Sequence, residues 1–146
     1  MIEEKYTGTS PVLTSAHRLI QGRLFSFIDK NIDEDDYTAY VEEPISEDRN
    51  DLTPDVIVKS EENEEPVVII EITTTREFNK QKERAAEYAK QFPACEIFII
   101  DYEREKWYSY GPEAEEDEPD YCELIDEYLD DCINWEKTRT KINIAD

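Results

Sequence analysis

The stretch Val67-Val68-Ile69-Ile70-Glu71-Ile72-Thr73 decides how the rest of the chain is arranged. It is an apolar run of strand length, which is typical of a central β-strand covered on both faces. Glu71 interrupts this run, and a carboxylate among apolar neighbours loses its hydration unless a metal ion or another cation meets it. We therefore expect any reaction centre of this protein to include Glu71.

A second carboxylate precedes another strand-like run. Pro54-Asp55 leads into Val56-Ile57-Val58, and proline is tolerated at the first position of a strand. If the two strands pair antiparallel, Asp55 and Glu71 lie at the same edge and can share a divalent cation such as Mg²⁺. Such a site activates water and stabilises the charge that develops on a phosphodiester. The alternatives are a turn carboxylate for Asp55 and a buried ion pair with a helix base for Glu71.

The composition indicates a folded domain with acidic loops. The chain has 146 residues, the size of a single domain that buries its own core. Hydrophobic residues make up 38% and charged residues 37%, but the apolar ones are grouped in periodic blocks. No run approaches the roughly 20 apolar residues of a membrane span, and no signal peptide is recognisable. We expect a cytoplasmic protein without membrane contact.

The cysteines and the net charge restrict the kinds of site that the protein can have. Cys95, Cys122 and Cys132 lack CxxC spacing, which favours buried free thiols over disulfides or a zinc site. The chain has 38 acidic and 16 basic residues, and its net charge is -22. This charge repels nucleic acid at long range, although salt screens it beyond roughly 8 Å. A usable nucleic-acid face is not excluded, and the acidity fits either a high-salt origin or a partner surface.

Periodicity and turn signals predict helices and strands in the order of an α/β protein. Thr14 or Ser15 can cap the first helix, and Thr74 with Glu77 is a capping-box pattern at the second. The acidic loop 111–120 separates a core from a last amphipathic helix. The predicted helices are 15–30, 76–92 and 121–137, the predicted strands are 37–41, 56–58, 67–73, 96–101 and 106–110, and the core is 14–110.

The second helix brings basic residues near the Glu71 strand. Lys82 shares a predicted inward face with Phe78 and Ala85, from which it can reach a carboxylate or a scissile phosphate, so we prefer it to Lys80 in that role. The alternative is a lysine that extends outward from the edge of this face. Arg76, Lys80 and Arg84 form an outward stripe that is the candidate DNA-backbone surface. The simpler expectation for this stripe is a solvated helix face that pairs with Glu77, Glu83 and Glu87.

His17 lies at the edge of the apolar face of the first helix. We expect a core-edge histidine there, and the alternative is a group that faces the reaction centre.

These residues together resemble a known family. Pro54-Asp55, the segment Glu71 to Arg76, a lysine-containing helix with Tyr88 and the strand Glu96 to Asp101 are similar to the Uma2 family of the PD-(D/E)xK nuclease superfamily. The leading segment Ser15 to Ile20 resembles that family's opening helix. The resemblance covers residues 14–110 and implies a restriction-endonuclease-like αβββαβ core with a mixed central sheet flanked by helices, to which this chain adds a C-terminal helix.

The resemblance also implies an activity. It implies a metal-dependent DNA endonuclease in which Asp55, Glu71 and the backbone carbonyl of Ile72 bind Mg²⁺ or Mn²⁺. The superfamily's lysine, two positions after the glutamate, is Thr73 here, and Lys82 from the following helix is the expected substitute. His17, Thr73 and Lys80 are candidate accessory residues. A homodimer is compatible with this assignment.

The competing hypothesis is a catalytically inactive protein of the same fold. Its acidic surface would then act as a protein-interaction or DNA-mimic face, as the net charge and Thr73 suggest.

Overall fold

The computed structural model of the protein describes residues 14–45, 53–110 and 118–145. The predicted acidic loop 111–120 lies mostly outside these residues. The elements, in chain order, are α1 (Ser15–Asn31), β1 (Tyr37–Val41), β2 (Val56–Ser60), β3 (Pro66–Thr73), α2 (Phe78–Gln91), β4 (Glu96–Asp101), β5 (Lys106–Tyr110), β6 (Tyr121–Cys122), β7 (Glu127–Tyr128), a short 3-10 helix (Leu129–Cys132) and α3 (Trp135–Ala145).

The five longer strands form one mixed sheet in the order β1-β2-β3-β4-β5. The strand pairs β1–β2, β2–β3 and β4–β5 are antiparallel, whereas β3 and β4 are parallel. A parallel pair needs a crossover connection, and α2 provides it. The predicted αβββαβ order and the mixed sheet flanked by helices are confirmed, with β3 at the centre.

Both faces of the sheet are covered, which explains the unbroken apolar run in β3. Val68, Ile70 and Ile72 belong to a core cluster beneath α1 and the C-terminal segment. Ile69 belongs to a second cluster beneath α2, together with Tyr88. Because side chains alternate between faces, Glu71 shares the α2 side with Ile69. The carboxylate that stood out in the sequence therefore lies between the sheet and α2.

The N-terminus of α1 is capped as expected. The hydroxyl of Thr14 accepts a hydrogen bond from the backbone N–H of His17 at 3.0 Å. Such a cap stabilises a helix by about 1 kcal/mol. It also fixes the first turn of α1, and with it the position of His17.

The predicted capping box at α2 is present only in part. The hydroxyl of Thr74 accepts the backbone N–H of Glu77 at 3.3 Å, but the helix begins only at Phe78, and the side chain of its N-cap Glu77 makes no capping hydrogen bond. Thr74 to Glu77 form a turn, and the hydroxyl of Thr75 donates to the Asp101 carboxylate at 2.9 Å. This contact holds the β3–α2 connection against the end of β4, and the helix starts only after it.

The predicted C-terminal helix is present, but its predicted bounds, 121–137, are wrong. Most of this range is taken by the β6–β7 hairpin and the 3-10 helix, and α3 begins only at Trp135. The Glu96 carboxylate accepts the backbone N–H groups of Glu123 and Leu124, at 2.7 and 3.0 Å, which ties this turn to the start of β4. Cys122, Ile125, Leu129 and Ile133 are nevertheless buried. The apolar pattern of this segment thus marks part of the core, although Tyr128 is 40% exposed and the backbone is not the predicted one.

The three cysteines are free, as predicted. Burial is the main cause that raises the pKa of Cys122 and of Cys132 to about 12, so both are inert thiols at neutral pH. Among the described residues no helix is long and apolar enough to cross a membrane.

Candidate active site

Asp55 and Glu71 meet at one edge of the sheet. Val56 pairs with Ile70, so Asp55 is opposite Glu71 if this register continues by one residue. Asp55 Oδ2 accepts the backbone N–H of Ile72 at 2.7 Å, which holds its carboxylate against the end of β3. A hydrogen bond between the two carboxyl groups is among the causes that raise the pKa of Glu71. The antiparallel pairing of β2 and β3 thus brings together the two acids that the sequence singled out.

The electrostatic environment of Glu71 is unfavourable for a charge. Glu71 is only 3% exposed. Burial raises the pKa of its carboxyl group well above the usual value, and the negative charge of Asp55 raises it further. The charge of Arg84 and a hydrogen bond from the Tyr88 hydroxyl, at 3.1 Å from Oε2, oppose these effects and lower it. Two adjacent carboxylates in such a place are stabilised by a cation.

His17 is part of the same cluster. Its Nε2 atom lies 3.3 Å from Asp55 Oδ1, so Asp55 is held by Ile72 on one oxygen and by His17 on the other. His17 is buried, as a core-edge residue should be, and it also faces the carboxylate pair. Its Nδ1 atom is buried and has no hydrogen-bond partner among the described residues. Buried polar atoms without partners are rare, and they mark places where a water molecule or a ligand belongs.

Gln21 supports the backbone of Asp55 and was missed in the sequence. Its side-chain amide donates to the Asp55 carbonyl at 2.9 Å and to Glu42 Oε2 at 3.3 Å. Gln21 follows His17 by four residues, so both lie on one face of α1. This spacing was visible in the sequence. Tyr88 was also missed as a partner of Glu71, because an inward tyrosine on a helix looks like an ordinary core residue.

The expected position of Lys82 is not what the structure shows. Its ammonium group lies over the Tyr108 ring, 4.4 Å from the centroid, and 5.6 Å from the centroid of Phe78. Arg84, which was assigned to the outward stripe, is half-buried and is the base whose charge acts on Glu71. The inward face of α2 is centred on the buried residues Ala85 and Tyr88. This orientation turns Arg84 towards β3 and Lys82 towards β5.

The remaining predicted residues lie around this cluster. Arg76 and Lys80 are exposed near the start of α2. Two of the three residues of the predicted outward stripe therefore lie on the surface. Thr73 is 4% exposed at the end of β3, and its hydroxyl donates to the Thr74 carbonyl at 3.3 Å. Since residues two apart in a strand share a face, Thr73 points to the same side as Glu71.

The donor atoms fit a hard cation that keeps part of its water shell. Within residues 14–45, 53–110 and 118–145, no group of three or more His, Cys, Asp or Glu side chains is arranged to hold a metal ion. Mg²⁺, however, is commonly bound by one or two carboxylates together with water and substrate oxygens. If the β2–β3 register continues, Pro54 faces Ile72, and proline has no N–H to donate to the Ile72 carbonyl. Asp55, Glu71 and this carbonyl therefore form a donor set suited to Mg²⁺ or Mn²⁺.

Comparison with solved structures shows a shared fold. One similar structure is a protein of Anabaena variabilis ATCC 29413, described as a "putative nuclease belonging to DUF820". The TM-score is 0.64 at 22% sequence identity, and the likeness covers 86% of this chain and 84% of that one. No family model and no curated protein matches the sequence. The α/β architecture, with its five-stranded mixed sheet and flanking helices, is thus a fold that a nuclease-like protein also has.

Proposed function

We propose that this protein is a metal-dependent nuclease that hydrolyses phosphodiester bonds of DNA. The observation that carries the proposal is the proximity of the buried Glu71 carboxyl group to the half-buried Asp55 carboxylate at the edge of the sheet. Two acids that repel each other at a largely desolvated place are a poor structural feature and a good cation site. The fold shared with the Anabaena protein supports the same class of activity.

Each residue of the cluster would have a definite role in this reaction. Asp55, Glu71 and the Ile72 carbonyl would hold Mg²⁺ or Mn²⁺, and the bound metal would supply an activated water and stabilise the charge on the phosphate. His17 and Gln21 would keep Asp55 in position through their contacts with its carboxylate and carbonyl groups. Burial under α2 would exclude bulk water from Glu71, which strengthens electrostatic interactions there.

The position of Arg84 changes which basic residue we assign to the scissile phosphate. Arg84 acts on Glu71, whereas Lys82 is engaged with Tyr108. We therefore assign to Arg84 the role that the sequence suggested for Lys82, namely to stabilise the scissile phosphate. Arg76 and Lys80, exposed at the start of α2, remain candidates for contact with the DNA backbone, and Thr73 with Lys80 remain accessory candidates.

Cleavage assays with isosteric variants test the proposal. In Mg²⁺ or Mn²⁺, Asp55→Asn and Glu71→Gln should each reduce cleavage of DNA by roughly 100-fold or more, since the metal contributes several kcal/mol to the transition state. Glu87→Gln is the matched control, because Glu87 is an exposed acid on α2 and its loss changes the net charge equally. It should cleave at the wild-type rate. Cleavage that survives both site variants would come from a contaminant and would refute the proposal.

The same assay separates the two basic residues. Arg84→Gln should lower the cleavage rate more than Lys82→Gln does, because Arg84 is the residue that acts on Glu71. The reverse order would restore the assignment made from the sequence.

A catalytically inactive acidic module remains the competing function. The net charge of -22 and the presence of Thr73 at the usual lysine position favour it. Titration calorimetry with Mg²⁺ distinguishes the two: binding that is abolished by Glu71→Gln supports the nuclease, and the absence of such binding supports the inactive module.

A further inference from the structure

A cleft of about 680 Å³ runs along the outer side of α1, on a part of the molecule that the carboxylate pair does not use. Its lining includes three basic residues and one acidic residue, Arg18, Arg23, Lys30 and Asp131. In the whole chain the acids outnumber the bases by 38 to 16, so this reversal is local. We call the surface formed by Arg18, Gly22, Arg23 and Lys30 the α1 cleft.

The three basic side chains are exposed and not neutralised by the fold. Arg104 pairs with Asp101, Arg139 with Glu105, and Lys59 lies near Glu43. Within the described part of the chain, by contrast, Arg18, Arg23 and Lys30 form no salt bridge, and all three are exposed. Their charges are available to a ligand.

Gly22 leaves the floor of the α1 cleft open. A Cβ atom placed on Gly22 would meet nothing within 4 Å, so the protein's own packing does not require a glycine there. Glycine in a helix interior costs about 1 kcal/mol relative to alanine. The space above it is therefore free for a ligand rather than filled by the protein.

The dimensions of the α1 cleft suit a polymer of phosphates. Arg18 and Lys30 are about 18 Å apart along the helix axis, at 1.5 Å per residue. Arg and Lys bind phosphate oxygens through charge-assisted hydrogen bonds. The half-buried ring of Phe27 also lines the cleft and offers an apolar surface for a base. The cleft thus offers both the charges and the apolar surface that a nucleic-acid strand uses.

The α1 cleft lies on the exposed side of α1, whereas the adjacent residue His17 is buried and contacts Asp55. The cleft is therefore a surface separate from the carboxylate pair. We propose that the α1 cleft binds the backbone of a single nucleic-acid strand outside the segment that is cleaved; the identity of this ligand rests on the proposed nuclease function.

Binding without cleavage tests the site. Fluorescence anisotropy with a labelled single-stranded oligonucleotide, in EDTA and at low salt, should show that Arg18→Gln/Arg23→Gln/Lys30→Gln raises Kd by about tenfold or more. The slope of log K against log salt should fall by about 2, since each phosphate neutralised on a single strand contributes roughly 0.7. The control Lys90→Gln/Lys106→Gln/Lys137→Gln changes the net charge equally at three exposed lysines outside the cleft and should bind like the wild type.

A pair of variants at Gly22 guards against loss of folding. Gly22→Glu places a carboxylate in the α1 cleft, whereas Gly22→Ala adds only a methyl group, and both substitutions improve helix propensity. We expect Gly22→Glu to lose binding and Gly22→Ala to keep it. The proposal would be overturned by equal affinity of the two Gly22 variants or by equal losses in the two triple variants. It would also be overturned if the wild type does not bind the oligonucleotide, or if poly-glutamate binds equally well.

The outcome is separable from that of the proposed function. A protein that binds through the α1 cleft but never cleaves in Mg²⁺ or Mn²⁺ refutes the nuclease and keeps the cleft as a nucleic-acid site. A protein in which the cleft triple variant cleaves with the wild-type KM refutes the cleft alone.

Discussion

At the level of a single residue, Glu71 is a carboxyl group in a position that opposes stability. Its side chain is buried, lies against Asp55 and has one hydroxyl donor, Tyr88, and one nearby positive charge, Arg84. Burial of a charge is costly unless it is paired. The protein without metal therefore carries a local strain that a bound cation would relieve.

This strain has a definite pH dependence. The folded-state pKa of Glu71 lies above the usual value of 4.5, so folding is penalised as pH rises from that value towards the folded-state pKa, and the penalty is absent at lower pH. In EDTA, Glu71→Gln should therefore be more stable than the wild type at pH 7, because the amide carries no charge to bury. At pH 4 the two should be nearly equal. Urea denaturation measures both.

Glu87→Gln is the control for this comparison, because Glu87 is exposed on α2. It should unfold at the same urea concentration as the wild type at both pH values. A Glu71→Gln protein that is less stable than the wild type at pH 7 would contradict the prediction.

At the level of elements, a carboxylate of β4 ties the C-terminal segment to the sheet. Glu96 accepts the backbone N–H groups of Glu123 and Leu124, and these contacts replace the hydrogen bonds that a helix would have made. Burial raises the pKa of Glu96, and the two N–H groups lower it in part, which is the pattern of a carboxylate used as a structural acceptor. Asp130 acts similarly, since it accepts the indole N–H groups of Trp107 and Trp135.

Removal of the Glu96 acceptor should loosen the β6–β7 hairpin. Glu96→Ala leaves two N–H groups without their partner, and each unsatisfied group costs about 1–3 kcal/mol if it stays buried. Hydrogen exchange should show a loss of protection at the amides of Glu123 and Leu124, while amides in the centre of β3 stay protected. The exposed neighbour Glu123 supplies the control Glu123→Ala. Unchanged protection in Glu96→Ala would show that the hairpin is held by its apolar contacts alone.

For the whole molecule, the net charge of -22 means that the folded chain repels itself. It also makes the α1 cleft, with its exposed Arg18, Arg23 and Lys30, an exception in an acidic chain. Long-range repulsion would slow the approach of nucleic acid at low salt, so binding there depends on short-range contacts with these bases. A homodimer stays a prediction.

Self-repulsion predicts a dependence of stability on salt. At neutral pH, raising NaCl from about 0.01 M to about 0.5 M shortens the Debye length and should raise Tm by about 3–6 °C, or roughly 1–2 kcal/mol. Near the pI of about 4.2 the net charge vanishes, and the same addition should have little effect. Calorimetric scans at the two pH values test this. A Tm that is independent of salt at neutral pH would show that the acidic residues are too well spaced to repel.

The sequence by itself determined the αβββαβ order of the core, the central position of β3 and the identity of the two acids. These follow from local information: an unbroken apolar run needs cover on both faces, and a charge inside that run needs a partner. It also predicted part of the C-terminal core, since Ile125, Leu129 and Ile133 are buried although the backbone that carries them is not a helix over most of this segment.

Only the tertiary structure decided which residues contact one another at the candidate site and in the C-terminal segment. The orientation of α2 is set by packing of Ala85 and Tyr88 on the sheet, and this turned Arg84 towards Glu71 and Lys82 towards Tyr108. The contact between His17 and Asp55 joins elements that are far apart in the chain. Most of the segment 121–137 does not form the predicted helix. Two of its backbone N–H groups are instead bound by Glu96, which lies on a strand that is distant in the chain. Long-range hydrogen bonds and packing outweigh local propensity at such places, because a helical turn on its own is only marginally stable.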